Sequence, residues 1–227
     1  MTILKAEHIS KHFDGVKALS SVSISAAEGQ ITGIIGPNGS GKSTLINVLT
    51  NMLKKDAGVI TMHGSFSRTF QDSRLWGHMT VFDTVLLSLE TKNIFGALYT
   101  FSPHHHEALL IIRRVGLEHH THTQARHLSY GQRKLLGLGR ALAGETKILF
   151  LDEPFAGLFP EMITTIKQIL REEKLRGVAI VLIEHDMSII KELCDYVYAL
   201  DSGKNIAEGS ATEVLANQAV KTAYLGD

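Results

Sequence analysis

Apolar positions along this chain follow two spacings that alternate. Segments 3–9 (ILKAEHI) and 20–26 (SSVSISA) alternate apolar and polar residues, as half-buried strands do. Segments 147–154 (KILFLDEP) and 178–186 (VAIVLIEHD) contain nearly continuous apolar runs, which are typical of strands buried on both faces. Helical spacing separates these two, at 161–177. The pattern predicts an α/β fold with a largely parallel sheet covered on both faces and an antiparallel N-terminal edge.

The middle of the chain, from about residue 72 to residue 143, has a different character. Strand signals fade there, while 81–90 (VFDTVLLSLE) and 128–144 (LSYGQRKLLGLGRALAG) have apolar positions at helical spacing. Ser102 and Pro103 are the residue types of an N-cap and a first helical position. Because no low-complexity linker divides the sequence, we predict a single domain over the whole chain with an inserted helical subdomain at about 72–143.

Composition narrows the class of protein. The 227 residues are 44% hydrophobic, which suits one domain with a substantial core, and 23 Lys and Arg balance 23 Asp and Glu. With zero net charge there is no basic surplus for nucleic acid, so we expect no nucleic acid partner. The one cysteine, Cys194, cannot form an internal disulfide, which fits a reducing compartment. No apolar stretch reaches the roughly 18 residues of a membrane span, so work at a membrane would need other subunits.

The clearest chemical motif is the glycine-rich loop 36–44 (GPNGSGKST), which fits G-x-x-x-x-G-K-[ST] between a predicted strand and a predicted helix. Glycines let successive backbone N–H groups point at one anion, and a helix N-terminus adds about half a positive charge. We expect Lys42 to reach the β- and γ-phosphates of a nucleotide and Ser43 to bind Mg²⁺. Kinases, GTPases, helicases and transport ATPases share such a loop, so the reaction stays open. The predicted nucleotide-binding residues are Gly36, Pro37, Asn38, Gly39, Ser40, Gly41, Lys42, Ser43 and Thr44.

Two later strands end in side chains suited to act beside that loop. Asp152 and Glu153 follow the apolar run ILFL, and His185 follows IVLIE one strand later. Ligands in parallel sheets bind outside the carboxyl ends of the strands. Asp152 is therefore placed to hold Mg²⁺, and Glu153 to polarise an attacking water. His185 is placed to contact the γ-phosphate and to help position that water. We predict that Glu153 and His185 are catalytic.

A second anion-binding helix start is predicted at 128–132 (LSYGQ). Ser129, followed three residues later by Gln132, has the form of a capping box, and the helix N-terminus it creates can bind an anion. This motif lies in the helical insert, so one chain need not bring both loops to one phosphate. We infer a head-to-tail pair of chains, in which Ser129 and Gly131 of one chain complete the γ-phosphate site held by Lys42 of the other. Two ATP molecules would lie between the chains.

Five motifs in order, GPNGSGKST, Gln71, LSYGQ, ILFLDEP and His185, resemble the ATP-binding subunit of an ABC transporter over essentially the whole chain. The resemblance implies a P-loop NTPase core with an antiparallel β subdomain and an inserted helical subdomain, binding ATP and Mg²⁺. It also implies that Phe13 stacks on adenine and that Gln71, otherwise a surface amide, senses Mg²⁺ and the attacking water. In the signature loop, Tyr130 takes the place of the usual third-position glycine. That loop, which meets the partner's ATP, would consist of Ser129, Tyr130, Gly131 and Gln132.

Finer features narrow the resemblance. RTFQ with LWGHMTVFDTV, EPFAGL, IEHDM and the closing AYLGD resemble the ATPases of branched-chain amino acid importers, which implies solute uptake through separate permeases and a solute-binding protein. Lipopolysaccharide-export ATPases are similar too and stand as the alternative. A further alternative is a non-transport ABC ATPase acting on DNA or the ribosome, whose paired domains, coiled coils and basic inserts this chain lacks. Two departures from the importer pattern are Phe159, where relatives carry Asn or Asp, and a short segment before Gln71.

The resemblance also implies where partner subunits bind. In the family the groove for the membrane subunit lies near the glutamine loop, so we expect permease contacts at Leu75, Trp76 and Met79. An exposed tryptophan would be a natural anchor there; the alternative is that Trp76 packs inside the helical subdomain. The protein would be cytoplasmic, held at the inner face of the membrane by permeases. Its partner ATPase would be a second copy or a related chain.

Overall fold

The computed structural model describes residues 1–69, 75–90 and 104–225. They belong to two compact units, called here the core unit and the inserted unit. The core unit comprises residues 1–66, 147–153 and 173–227. The inserted unit comprises residues 67–146 and 154–172. The chain therefore leaves the core unit twice, and the inserted unit contains a second segment besides the central one.

The N-terminal part of the core unit forms a three-stranded antiparallel sheet in the order β2-β1-β4. Apolar side chains on one face, such as Ile9 and Val22, are fully buried, while most residues that alternate with them along each strand are more exposed. The predicted antiparallel edge is confirmed, as a sheet of its own. Its strands are β1 (Thr2–Phe13), β2 (Val16–Ala27) and β4 (Ala57–Met62).

A six-stranded sheet has the order β5-β6-β7-β3-β8-β9. Its strands are β3 (Ile31–Ile35), β5 (Phe66–Arg68), β6 (Ile148–Asp152), β7 (Ala179–Ile183), β8 (Tyr196–Asp201) and β9 (Lys204–Gly209). β6, β7, β3 and β8 pair in parallel, and β9 pairs antiparallel with β8. Every residue of β3, β6 and β7 is buried, as their apolar runs predict. The α/β fold with a largely parallel sheet is confirmed, and the carboxyl ends of β6, β7 and β3 meet at one edge.

Short helices pack on the sheets of the core unit. Leu45 and Ile46 of α1 are buried in the main apolar cluster with residues of both sheets. Val214 of α7 and Val220 of α8 belong to a second cluster that includes Ile35, the last residue of β3. Both clusters thus reach the point where β3 ends. These helices are α1 (Lys42–Leu49), α6 (Met187–Leu193), α7 (Ala211–Ala216) and α8 (Gln218–Leu225).

The described residues of the inserted unit are mainly helical, and the first of them continue β5. An ion pair links α3 to α5, because Arg114 donates from Nε and Nη2 to Glu172 Oε2 at 3.0 and 2.7 Å. The helices that lie in this unit, wholly or in large part, are α2 (Val81–Glu90), α3 (His105–Arg114), α4 (Tyr130–Leu142) and α5 (Pro160–Leu175). Among the described helices, none combines the length and apolarity that a bilayer crossing needs.

The start of α3 differs from the prediction. The helix begins at His105 with His104 as its N-cap, so the predicted N-cap at Ser102 is wrong; Ser102 and Pro103 themselves lie outside the described residues. His104 Nδ1 lies 3.1 Å from Glu107 Oε2, which pairs the N-cap side chain with the one three residues later.

Candidate functional site

The phosphate loop connects β3 to α1 at the carboxyl edge of the parallel strands. Gly36 leaves β3 with φ of +149°, and a Cβ there would collide with the carbonyl oxygen of Leu200. Gly41 precedes α1 with φ of +103°, and a Cβ there would lie 2.6 Å from the carbonyl oxygen of Ala18. Both positions therefore require glycine, since L side chains disfavour this backbone conformation and no space is left for one.

The N-terminus of α1 is suited to an anion. Within the described part of the chain no side chain caps this helix, and its first turn contains no acidic residue. The first N–H groups of a helix lack intrahelical partners, and the helix dipole adds positive potential there. Ser43, in that first turn, is exposed. Its hydroxyl and the carboxylate of Asp152 are the hard oxygen donors that Mg²⁺ prefers, so the residues present fit the ion.

The side chain of Lys42 is hydrogen-bonded to the phosphate loop itself. It is 5% exposed, and its Nζ donates to the carbonyl oxygens of Gly36 and Pro37, both at 2.8 Å. Burial lowers the pKa of Lys42, while the negative charges of Glu153 and Asp152 act in the opposite direction. A phosphate could replace the two carbonyl oxygens as the acceptor of the ammonium group. The strand-end carboxylates lie near enough to stabilise the positive charge.

The strand order brings the predicted catalytic pair together. Asp152 ends β6 opposite Ile183 of β7, and it is 6% exposed. His185 Nε2 lies 2.7 Å from Glu153 Oε1, although the two residues are 32 positions apart. The Glu153 side chain is 18% exposed and that of His185 is 36% exposed, so the pair faces partly to solvent. This geometry lets His185 donate to the carboxylate and orient it beside the phosphate loop.

The backbone of Glu153 is strained. Its φ of +50° lies in the left-handed region, which costs a non-glycine residue roughly 1–3 kcal/mol. Its N–H donates to the carbonyl oxygen of Ile183 at 3.1 Å, which extends the pairing of β6 with β7 by one bond. The turn redirects the side chain out of the strand and toward His185. Such conformations cluster at functional sites.

The signature segment forms the predicted capping box at the start of α4. Ser129 Oγ accepts the N–H of Gln132 at 3.2 Å, and Gln132 Oε1 accepts the N–H of Ser129 at 2.8 Å, so this prediction is confirmed. Since Oε1 is engaged, Gln132 Nε2 faces His120 Nε2 at 2.8 Å and donates to it. That ring nitrogen must therefore be unprotonated. The role of His120 was not predicted, because its place in a histidine-rich stretch carries no signal for this contact.

Tyr130 and Gly131 differ in their environments. A Cβ on Gly131 would collide with Sδ of Met162, so a larger residue at this position would have to displace that side chain of α5. Tyr130 is 45% exposed, and Lys134 Nζ lies 5.3 Å from its ring centroid. Lys134 Nζ also donates to the carbonyl oxygen of Ala156 at 3.0 Å. The Tyr130 side chain fits at this position because its ring lies on the surface against Lys134.

Phe13, the predicted adenine platform, is the last residue of β1 and is 44% exposed. Lys11 Nζ lies 5.5 Å from its ring centroid and 2.8 Å from Asp56 Oδ1. Asp56 Oδ2 accepts the N–H of His12 at 2.6 Å. The hydrogen bond from Lys11, followed by that from His12, lowers the pKa of Asp56 to about 2. The charged pair thus supports the end of the strand that presents the ring, whose stacking role stays a prediction.

The predicted permease contacts are only partly described. Gln71 falls within 70–74, outside the described residues, so its role stays a prediction. Leu75 and Met79 are half-buried, and Trp76 is 59% exposed. The alternative that Trp76 packs inside the helical subdomain is wrong. A largely exposed tryptophan is compatible with a contact to another chain.

Backbone hydrogen bonds join this segment to the residues that precede the signature loop, Ala125 and Arg126. The carbonyl oxygen of Gly77 accepts the N–H of Arg126 at 3.1 Å, and that of Met79 accepts the N–H of Ala125 at 2.9 Å. Leu128 N–H in turn donates to Ala125 at 3.3 Å, one residue before the capping serine. These bonds connect the Trp76 segment to the residues that precede α4.

Burial raises the pKa of the Cys194 thiol to about 12, so this cysteine is an unreactive apolar group. Across the described ranges, no three His, Cys, Asp or Glu side chains converge as a metal site of their own.

Comparison with known proteins agrees with this geometry. Residues 19–156 match the ABC transporter family, and residues 204–227 match the branched-chain amino acid ATP-binding cassette transporter family. The solved ADP conformation of an ATP-binding cassette of an ABC transporter has a TM-score of 0.87 to this chain and 34% identity, covering all of both chains. The fold and site thus define an ATP-binding cassette.

Relatives match over their full length. The chain is 34% identical over 247 positions to the probable branched-chain amino acid transport ATP-binding protein LivG of Archaeoglobus fulgidus, covering all of this chain and 96% of that protein. It is 29% identical over 241 positions to the lipopolysaccharide export system ATP-binding protein LptB of Haemophilus influenzae, covering all of this chain and 98% of that protein. The chain belongs to the ABC transporter family, as one of its ATP-hydrolysing, nucleotide-binding subunits.

Proposed function

We propose that this chain energises the uptake of branched-chain or other hydrophobic amino acids through separate membrane permeases, at the inner face of the membrane. The observation that carries the substrate class is the match of residues 204–227 to the branched-chain amino acid family, together with the name of the LivG relative. A solute-binding protein would deliver the amino acid. ABC ATP-binding subunits work with membrane permeases and dimerise, so the permeases are the first partners to test.

The proposed chemistry assigns one task to each of the predicted site residues. The loop amides and Lys42 bind the β- and γ-phosphates of ATP. Glu153 accepts a proton from the attacking water. His185 holds the Glu153 carboxylate in place through the 2.7 Å contact, and the His185 ring would also contact the γ-phosphate. Ser43, Asp152 and, by family resemblance, Gln71 would hold Mg²⁺, which offsets negative charge on the phosphates when bound.

The proposed assembly is a head-to-tail dimer of ATPase subunits with ATP between them. The capping box supports it, because Ser129 Oγ accepts the Gln132 N–H and keeps its own proton to donate to a phosphate of the partner's ATP. Hydrolysis would remove the shared γ-phosphate and release the two chains. The partner is a second copy or a related chain.

The proposed permease contact is the segment that contains Leu75, Trp76 and Met79. Support comes from the 59% exposure of Trp76 and from the backbone hydrogen bonds of Gly77 and Met79 to the segment before the signature loop. A permease movement felt at Trp76 would reach Ser129 through this connection. Binding of the permease and closure of the ATP sandwich would then be coupled.

The test is identification of the partners. The chain would be tagged in its native cell with Glu153→Gln, membranes would be solubilised in mild detergent, and co-purifying chains would be identified by mass spectrometry. The same tag on a Glu28→Gln variant controls for the charge change, because Glu28 is an exposed glutamate of the core unit. Co-purification of two hydrophobic permeases and a second ATPase would support the proposal. Loss of radiolabelled leucine uptake in Glu153→Gln cells, with normal uptake in Glu28→Gln cells, would also support it.

One other transport function is favoured by a specific observation, the full-length similarity to a lipopolysaccharide export ATPase. A lipid-exporting permease pair with a single type of ATPase, and unchanged leucine uptake, would establish that function instead. Ribosomal or DNA-bound partners would overturn both transport functions.

A further inference from the structure

The C-terminal helix ends beside the phosphate loop. Asn217 Oδ1 accepts the N–H of Ala219 at 2.8 Å, which supports the first turn of α8. Val220 is 3% exposed and packs in the cluster that contains Ile35. Tyr224 lies four residues after Val220, on the same face of the helix. Because Ile35 immediately precedes the loop, the burial of Val220 brings Tyr224 to the place where the loop begins.

The Tyr224 hydroxyl accepts the N–H of Gly36 at 2.6 Å. The carbonyl oxygen of the same glycine accepts Lys42 Nζ at 2.8 Å. The backbone of Gly36 is thus held on both sides, at a buried position where a side chain would collide with Leu200. Burial raises the pKa of the Tyr224 hydroxyl, against the opposing effect of the Gly36 hydrogen bond, so the group stays neutral at neutral pH.

We propose that Tyr224 is a positioning residue of the nucleotide site, which holds the first residue of the phosphate loop in the conformation that binds the phosphates of ATP. The contact joins residues 188 positions apart, and Tyr224 as a whole is 37% exposed. A loop arranged before binding loses less conformational freedom when the nucleotide arrives. Tyr224 therefore acts on nucleotide affinity and leaves the hydrolytic step to Glu153 and His185. The proposal rests on the assignment of 36–44 as the nucleotide site.

The test variant is Tyr224→Phe, which keeps the ring and removes only the hydroxyl. We expect MgADP, titrated calorimetrically into the full chain, to bind about five- to tenfold more weakly, as loss of one part-buried hydrogen bond predicts. KM for ATP should rise in the same proportion, with kcat within about twofold of the parent chain. Hydrogen exchange at the Gly36 amide should be slow in the parent chain and faster in the variant.

Tyr198→Phe is the matched control. Its hydroxyl accepts the Ser25 N–H at 3.1 Å on β2 of the same unit, so its loss should leave nucleotide affinity unchanged. Lys42→Ala in the same series tests the site assignment: unchanged MgADP affinity in that variant would overturn the site itself.

Three results would overturn the positioning role while leaving the site intact. They are unchanged affinity in Tyr224→Phe, an equal loss in Tyr198→Phe, and a fall in kcat with KM unchanged. Fast exchange of the Gly36 amide in the parent chain would also overturn it, even if the variant failed to fold.

Discussion

His185 Nε2 lies 2.7 Å from Glu153 Oε1. The two residues follow two neighbouring parallel strands, β7 and β6. Glu153 reaches this position through a left-handed backbone conformation, and a backbone hydrogen bond to Ile183 supports the turn. The pair links the strand-end carboxylate to the histidine that follows the next strand. The arrangement predicts separate effects of substitutions on binding and on hydrolysis.

Glu153→Gln should bind ATP and fail to turn it over. The amide keeps the size of the side chain and can still contact His185, but it cannot accept a proton from water. We expect a fall in kcat of at least about a hundredfold, the lower end of general-base effects. An ATP-dependent dimer should accumulate on gel filtration, with Glu28→Gln behaving as the parent chain. A variant that binds ATP and stays monomeric would count heavily against the sandwich.

Lys42→Ala should lose nucleotide affinity. The substitution removes the charge expected to meet the phosphates, and it also frees the Gly36 and Pro37 carbonyl oxygens that Nζ now contacts. A hydrogen bond to a charged group is worth roughly 1.5–3 kcal/mol, so calorimetry should report binding weakened by about ten- to hundredfold. Lys54→Ala removes an exposed positive charge of the same unit and should bind normally. Equal binding by all three proteins would contradict the phosphate-loop assignment.

Ser129→Ala should affect the dimer more than the fold. Loss of an N-cap serine typically costs about 1 kcal/mol, which urea unfolding can measure. Ser210→Ala removes the equivalent serine from the capping box of α7, so its stability cost should be similar. Only Ser129→Ala should also lose ATP-dependent dimerisation and turnover. If both variants dimerise normally, the signature loop does not contact ATP in the way proposed.

Asp56 should contribute to unfolding at low pH. Its pKa is about 2 in the folded chain against an ordinary value of 3.8, so the unfolded chain takes up the proton first as pH falls. Its contribution to stability is therefore complete above about pH 4 and is lost between 3.8 and about 2. Asp56→Asn should show a shallower loss of stability across that window, measured by urea unfolding at each pH.

Salt and a matched variant make the Asp56 measurement specific. Added salt should reduce the difference, because the pair with Lys11 is exposed to solvent screening. Asp14→Asn replaces an exposed carboxylate for which the described residues provide no ion pair, and it should follow the parent profile. A parent-like profile for Asp56→Asn would show that the ion pair does not form in solution.

Local sequence was sufficient for features whose physics is local. The loop 36–44, the capping box of Ser129 and Gln132, and the buried strands before Asp152 and His185 each depend on neighbours within a few residues. Local signals also failed at Ser102, where two competing helix starts lie within a few residues of each other. β9 was not predicted because KNIAEG is mostly polar and its pairing with β8 supplies the order.

The sequence by itself determined the class of protein, the phosphate loop and the identity of the side chains that meet it. Only the tertiary structure decided that Glu153 contacts His185, that Gln132 contacts His120, and that Tyr224 holds Gly36. The reason is that apolar runs specify buried strands without specifying their order, and the order β6-β7-β3-β8 sets which strand ends meet. Contacts between residues far apart in the chain arise from that order and from the packing of helices such as α8 on it.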